Sequence, residues 1–128
     1  MLSTVIELGK TLETNEIQQT GSTYFFGKGK DIDLLVLSNM PLESTTLKLL
    51  QNGWHTDSKE GYGDSSTWAS FRKGEFNAIV HTTREEYNKM QTAAKVCKYL
   101  ADLKILPESD KLLRINIHKI IRNEDVEY

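Results

Sequence analysis

The sequence predicts an α+β domain, in which a mixed, mostly antiparallel sheet carries its helices packed on one face. Apolar residues recur at helical spacing near both ends of the chain, whereas its middle contains short β-prone runs bounded by glycine-rich turns. The 128 residues, 38% of them hydrophobic and 27% charged, are enough for one domain with a core. We therefore treat 1–128 as a single domain.

The first half of the chain contains two predicted helices around a predicted hairpin. The apolar positions of the first helix are Val5, Leu8 and Leu12. The string "TYFF" is β-prone, "GKGK" turns the chain, and "DIDLLVLS" is typical of a buried strand, so a hairpin is expected from Tyr24 to Val36. A second helix follows in "MPLESTTLKLLQNG", with Pro41 in its first turn and Gly53 at its end.

The second half predicts three strands and two helices. The strands lie in "GWHTDS" and "STWASFRKGEFNAIVH", with a tight turn at Lys73–Gly74. The intervening "KEGYGD" is expected to be a surface loop. Thr83 and Glu86 have the spacing of a capping box, and Pro107 separates the helix that they begin from a last one in "ESDKLLRINIHKIIRN". The apolar stripe of that last helix is Leu113, Ile117, Ile120 and Ile121.

Composition and cysteine use argue against several classes of protein. The single cysteine, Cys97, excludes an internal disulfide and favours a reducing compartment, which we predict to be the cytoplasm. The start "MLSTVIELGK" lacks the regions of a secretory signal, and no apolar run approaches the roughly 20 residues of a membrane span. No membrane partner is therefore expected. The formal net charge of −2 does not support broad nucleic-acid affinity.

Two acids, Asp31 and Asp33, stand at the start of the apolar run. On a strand, residues two apart project from the same face, so the two carboxylates are expected to lie together. Like charges at that distance raise the energy of a fold unless a cation or strong donors offset them. Hard carboxylate oxygens suit Mg²⁺, and the pair can also seat two bridged ions. The alternative is a polar strand start, in which one Asp caps the turn.

The residues before the acids suit an anionic ligand. At Gly21 the backbone can approach an anion closely, and the Ser22 hydroxyl can donate to a phosphate. Lys28 and Lys30 would add positive charge beside it. Ordinary turn chemistry explains the same residues, as a turn serine and two solvated lysines.

The string "GS", followed after eight residues by "DID" and an apolar strand, resembles the signature of the DNA polymerase β-like nucleotidyltransferase superfamily. The resemblance implies that Gly21 and Ser22 contact the triphosphate of an NTP substrate. It also implies that Asp31 and Asp33 hold Mg²⁺. The strings "YNKMQTAAKVCKYL" and "KLLRINIHKII" are similar to those of short phage-encoded members, for which the compartment would be the host cytoplasm.

The third carboxylate that this superfamily usually carries on a later strand has no clear counterpart. In "EFNAIVH", Asn77 falls where the acid is expected, and Glu75 lies two residues earlier on the same face. An amide oxygen binds a metal ion weakly and cannot act as a base. Glu75 substitutes for the acid, or the metal site is incomplete, or the protein binds a nucleotide without transferring it.

Three possibilities follow from this pattern. The first is a Mg²⁺-dependent nucleotidyltransferase that moves an NMP from an NTP to an unknown acceptor, with Asp31, Asp33, Glu75 and Asn77 as its catalytic residues. The alternative is a catalytically inactive relative that binds a nucleotide, a nucleic acid or a host protein, for example as a phage interference factor. A structural partner in which the two acids only shape a turn is the third possibility.

Four other side chains have two interpretations each. His81 ends the strand of Asn77 and points the same way, although histidines at strand ends are commonly surface residues. Trp68 is expected in the core, and Tyr62, between two glycines, is the better candidate for stacking on a base. Arg114, beside the apolar stripe of the last helix, reaches either a phosphate or solvent.

Overall fold

The computed structural model describes residues 2–56 and 67–122. In chain order the elements are α1 (Leu2–Leu12), β1 (Ile17–Thr20), α2 (Gly21–Phe26), β2 (Ile32–Leu37), α3 (Leu42–Gln51), β3 (His55–Thr56), β4 (Trp68–Lys73), β5 (Phe76–His81), α4 (Arg84–Asp102) and α5 (Lys111–Ile121). Within these described ranges, no helix has the length and apolar character needed to cross a membrane. The string "KEGYGD" and Tyr62 lie outside the described residues.

The five strands form one sheet in the order β1-β2-β5-β4-β3. Strands β2 and β5 pair in parallel, whereas the other three pairs are antiparallel. The α+β class and the mixed, mostly antiparallel sheet are therefore confirmed. The parallel pair places β5, which follows β2 by some 40 residues of chain, directly beside it at the centre of the sheet.

Helices cover both faces of the sheet, and not one face as the sequence analysis expected. Leu34 and Val36 of β2 pack with residues of α1 and α3, whereas Leu35 and Leu37 pack with residues of α2 and α4. Successive side chains of a strand point to opposite faces, so these two clusters lie on opposite sides. The uninterrupted run "LLVL" is typical of a strand buried on both faces, as parallel-paired strands are.

The predicted hairpin from Tyr24 to Val36 is wrong, because "TYFF" belongs to a helix. The strand that pairs with β2 is β1, and α2 begins directly after it at Gly21, whose φ is +79°. Phe25 is buried in the cluster beside α4, and Gly27 ends the helix in the left-handed region with φ 74°. The tertiary contacts of the aromatic residues override their preference for strands.

The β4–β5 hairpin and the last three predicted helices are confirmed. The turn between the two strands contains Gly74, with φ +59°. Thr83 is the N-cap residue of α4, but its side chain makes no capping hydrogen bond, so the predicted capping box does not form. Glu86 instead accepts a hydrogen bond from the Thr67 hydroxyl at 3.0 Å. Cys97 is fully buried on α4.

The last helix, α5, is capped at its N-terminus by Asp110, whose carboxylate accepts a hydrogen bond from the Leu113 amide at 2.9 Å. Ile117 packs against the cluster that contains Cys97. Leu113 and Ile120 are exposed, so only part of the predicted apolar stripe faces the core. Another face of α5 borders the site described next.

Candidate functional site

A row of four residues in register across the sheet places Asp33, the second predicted acid, in line with three other polar side chains. Asp33 on β2 pairs with Thr20 on β1 and with Asn77 on β5. Asn77 pairs in turn with Arg72 on β4. Cross-strand partners project from the same face, so the four side chains share the face covered by α2, α4 and α5.

Asp33 and Asn77 are joined by a hydrogen bond. The Asn77 amide donates from Nδ2 to Asp33 Oδ1 at 3.2 Å. Burial raises the pKa of the Asp33 carboxyl above its ordinary value, and the nearby charge of Asp31 adds to this, whereas the bond from Asn77 and the charge of Arg72 oppose it. Ionisation of Asp33 is therefore less favourable in the fold than ionisation of an exposed aspartate, a perturbation that is common for groups that meet a ligand.

Asp31 lies just before β2 and is paired within the protein. Arg72 Nη1 is 3.2 Å from Asp31 Oδ1, and both side chains are well exposed, at 38% and 47%. An exposed pair of this kind contributes about 1 kcal/mol or less to stability. Arg72 nonetheless supplies the positive charge that two neighbouring acids need, a role that the sequence analysis assigned to Mg²⁺.

Gly21 is packed directly against the Asp33 side chain. An ideal Cβ built on Gly21 would lie 2.0 Å from Asp33 Oδ2 and 3.0 Å from Asp33 Cβ. Any other residue would also have to adopt the positive φ of this position. The structure thus brings together the glycine turn and the second acid, two parts of the predicted site that are separated by a helix in the chain.

Ser22 contacts α5 through Arg114. The guanidinium donates from Nη1 to Ser22 Oγ at 3.0 Å, and its carbon lies 5.4 Å from the centre of the Phe26 ring. The sequence leaves open whether Arg114 reaches a phosphate or solvent. Its contact with Ser22 places it at the candidate site.

These residues line a cleft of about 570 Å³ between α2, the sheet and α5. Gly21, Ser22 and Asp33 form one side. The other side is a basic wall, contributed by Lys111, Arg114, His118, Lys119 and Arg122. Sequence reasoning identified only Arg114 in this wall, although the spacing of three, four and seven residues places all five on one face of a helix.

Burial lowers the pKa of His118, and the charges of Arg114 and Arg122 lower it further, while a hydrogen bond with the Arg114 carbonyl opposes the shift. The Arg114 carbonyl oxygen lies 2.9 Å from His118 Nδ1. Because a carbonyl oxygen can only accept a hydrogen bond, Nδ1 is the donor and carries the ring proton. His118 is therefore uncharged at neutral pH, and the four lysine and arginine side chains carry the positive charge of the wall.

Asp31, paired with Arg72, is not among the residues that line the cleft, and three other predicted site residues lie elsewhere. Lys28 forms an ion pair with Glu108, with Nζ 3.1 Å from Oε2. Lys30 is exposed on the connection between α2 and β2. Glu75 is exposed in the β4–β5 turn, where its backbone carbonyl accepts a hydrogen bond from the Ile32 amide at 2.8 Å. Asn77, and not Glu75, is the β5 residue beside Asp33.

The oxygen donors of the cleft suit one Mg²⁺ better than two. Among residues 2–56 and 67–122, no three acidic, histidine or cysteine side chains are grouped so that they can hold a metal ion. Asn77 turns its amide hydrogens, and not its oxygen, toward Asp33. Mg²⁺ commonly needs only one or two carboxylates when phosphate oxygens and water complete its coordination. Among the described residues that line the cleft, Asp33 is therefore the carboxylate that would contact an ion arriving with a polyphosphate, whereas Asp31 is paired with Arg72 and does not belong to that lining.

Comparisons of the chain with protein-family models, with curated proteins and with solved structures found no match. The function is therefore inferred from the cleft and from the side chains that line it.

Proposed function

We propose that this protein binds the polyphosphate of a nucleoside triphosphate, together with one Mg²⁺, without transferring a nucleotidyl group. The observation that carries the proposal is the basic wall of α5, which faces the Gly21–Ser22 turn and the Asp33 carboxylate across one cleft. This is the inactive, ligand-binding alternative that the sequence predicts. Its ligand, which the sequence leaves open as a nucleotide, a nucleic acid or a protein, is here proposed to be a nucleotide.

Charge supports an anionic ligand. Among the residues that the structure describes, four lysine and arginine side chains line the cleft beside one carboxylate, that of Asp33, in a chain whose formal net charge is −2. A concentration of one sign of charge in a cleft with low-dielectric walls attracts ions of the opposite sign. Arg114 would also orient the bound phosphate, because a guanidinium binds phosphate oxygens through N–H donors in a fixed planar arrangement. A polyphosphate matches this arrangement better than a neutral ligand.

Mg²⁺ would offset the repulsion between the Asp33 carboxylate and the negatively charged phosphate groups. When bound, it would supply positive charge beside the Asp33 carboxylate and the phosphate oxygens. Asp33, whose ionised form burial disfavours, would then be stabilised as a carboxylate.

Two features favour binding over transfer. Asn77 stands beside Asp33 in the register position where the resemblance implies an acid, and an amide cannot accept the proton of an attacking hydroxyl. Asp31 is paired with Arg72, which lowers the negative charge available to a second metal ion. Nucleotidyl transfer remains the competing function, since the glycine turn, Ser22 and Asp33 share the cleft.

Removal of the Arg114 guanidinium is expected to weaken polyphosphate binding about tenfold, the size of effect typical of a lost charge-assisted hydrogen bond. Titration calorimetry with Mg²⁺–tripolyphosphate and with each Mg²⁺–NTP would compare wild type with Arg114→Ala. Arg114→Lys, which keeps the charge but loses the fork, is expected to fall between them. The matched control is Arg84→Ala, because Arg84 pairs with Glu16 on the surface and lies outside the cleft. Equal binding by the Arg114→Ala and Arg84→Ala proteins would refute the proposed site.

A labelling assay separates binding from transfer. Wild-type protein incubated with Mg²⁺ and each α-labelled NTP, alone and with nucleic-acid or protein acceptors, is expected to bind the nucleotide and yield no labelled product. Labelled product that disappears in Asp33→Asn would overturn the proposal and establish the transferase instead. Label that persists in Asp33→Asn would point to a contaminating enzyme, which repurification would remove.

A further inference from the structure

A second cavity, of about 290 Å³, adjoins the cleft beside the sheet. It shares Asp33, Ile79, Met90 and Arg122 with the cleft, and other side chains of β4 and β5 form the rest of its lining. Its volume lies near the lower end of the roughly 300–1,000 Å³ range of small-molecule sites. It therefore suits part of a nucleotide rather than a whole one.

Buried polar atoms in this cavity have unused hydrogen-bonding capacity. His81 is only 4% exposed, and its Nδ1 lies 3.6 Å from Glu86 Oε2, which is too far for a hydrogen bond. Among the residues that the structure describes, neither ring nitrogen of His81 nor Oδ1 of Asn77 has a hydrogen-bond partner. A buried group left in this state costs about 1–3 kcal/mol, so folded proteins rarely keep one without a ligand or water.

Whether each of these atoms is a hydrogen-bond donor or an acceptor determines which polar groups a bound ligand must present to them. Burial lowers the pKa of His81 and the charge of Arg122 acts in the same direction, while Glu86 opposes them. The ring is therefore neutral at pH 7, with one nitrogen as donor and the other as acceptor. Asn77 Oδ1 is a second acceptor. A ligand edge with both donors and acceptors satisfies all of them.

The walls of the cavity suit the faces of a flat ring. Trp68 and His81 lie with ring centres 5.9 Å apart and planes inclined by 31°. Ile79 and Met90 add apolar surface. Trp68 is half-buried at the cavity and does not belong to either core cluster, which corrects the expectation that it is a core residue. Aromatic walls of this kind stack on heterocycles.

We infer that this cavity takes the base of the nucleoside triphosphate, with His81 and Asn77 bonded to its edge and Trp68 against its face. The inference rests on the proposed function, because the shared wall at Asp33 joins the cavity to the space assigned to the polyphosphate. His81 and Asn77 are then the specificity-determining residues of the site.

The test compares binding of Mg²⁺–tripolyphosphate, which has no base, with binding of each Mg²⁺–NTP. Wild-type protein is expected to bind at least one NTP ten times or more tightly than tripolyphosphate. His81→Leu, which keeps the volume but removes both ring nitrogens, is expected to lose most of that difference while its tripolyphosphate Kd stays within twofold. His55→Leu is the matched control, since His55 is exposed on β3. It is expected to behave as wild type.

A second measurement needs no variant. In wild-type protein the indole N–H resonance of Trp68 is expected to shift on addition of the preferred NTP and to stay in place with tripolyphosphate. Trp54, which is buried in the cluster on the opposite face of the sheet, serves as the internal control. Equal affinity for tripolyphosphate and all four NTPs, with Trp68 unmoved, would overturn the base site and leave the proposed function intact. Failure to bind either ligand would overturn both.

Discussion

Gly21→Ala is expected to lower the free energy of unfolding by at least about 3 kcal/mol and to abolish polyphosphate binding. Two costs combine at this position. A non-glycine residue at φ +79° is strained, and the new Cβ would lie within 3.0 Å of three atoms of the Asp33 side chain. Rotation of the carboxylate cannot relieve the overlap completely, because Asp33 Cβ is itself one of these atoms.

Gly27→Ala provides the matched control for this prediction. Gly27 has nearly the same φ, +74°, but a Cβ built on it meets nothing within 4 Å among the described residues. Only the backbone strain remains, which is about 1–2 kcal/mol. Urea unfolding of both variants would measure the difference, and Asp33→Ala in the Gly21→Ala background should recover part of it. If the two glycine variants are equally stable, Gly21 and Asp33 are not packed as described.

Asn77→Asp is expected to lower the free energy of unfolding by about 2 kcal/mol at pH 7 without Mg²⁺. The substitution removes the donor that bonds to Asp33 and places a second carboxylate about 3.2 Å from the first. The pKa of Asp33, already raised by burial, is expected to rise further. A raised carboxyl pKa means that the folded state takes up protons more readily than the unfolded one. The loss is therefore full above the raised pKa and fades as acidification protonates the pair.

Millimolar Mg²⁺ is expected to reverse most of this loss, because the variant has the third carboxylate that the wild-type site lacks. Thermal unfolding with and without Mg²⁺ would measure the effect in Asn77→Asp, Asn77→Ala and wild type. Asn77→Ala loses the same hydrogen bond without adding charge, so its stability should not respond to Mg²⁺ in this way, and its pH dependence should be weaker because only the lost bond raises the pKa of Asp33. An identical Mg²⁺ response in all three proteins would mean that this position does not face a cation site.

Local patterns were sufficient for much of the sheet and for part of the site. The unbroken apolar run after Asp33 identified β2, and the glycine turn at Lys73–Gly74 identified the β4–β5 hairpin. Alternation along β5 placed Asn77 and His81 on one face, which the shared cavity confirms. These predictions succeeded because they depend on neighbours in the chain.

Other parts of the site depend on partners far away in the chain. Arg114 and Ser22 are 92 residues apart, and Arg72 reaches Asp31 only because β4 lies beside β5 and β5 beside β2. The aromatic string "TYFF" became a helix because Phe25 packs beneath α4. The expectation that Trp68 lies in the core rests on its large hydrophobic side chain, which the residue type alone implies. The cavity beside it is formed by tertiary structure and cannot be recognised from the sequence.

The sequence by itself determined which segments are helix or strand at most positions, and it determined that a glycine–serine turn and two acids precede a buried strand. Tertiary structure alone decided that Arg72 neutralises Asp31, that Asn77 donates to Asp33, and that α5 turns its basic face toward the turn. Periodicity and turn chemistry depend on residues that are close together in the chain, so they can be recognised from the sequence. Charge compensation and cavity lining are set by strand register and helix packing, which bring together residues that no local pattern connects.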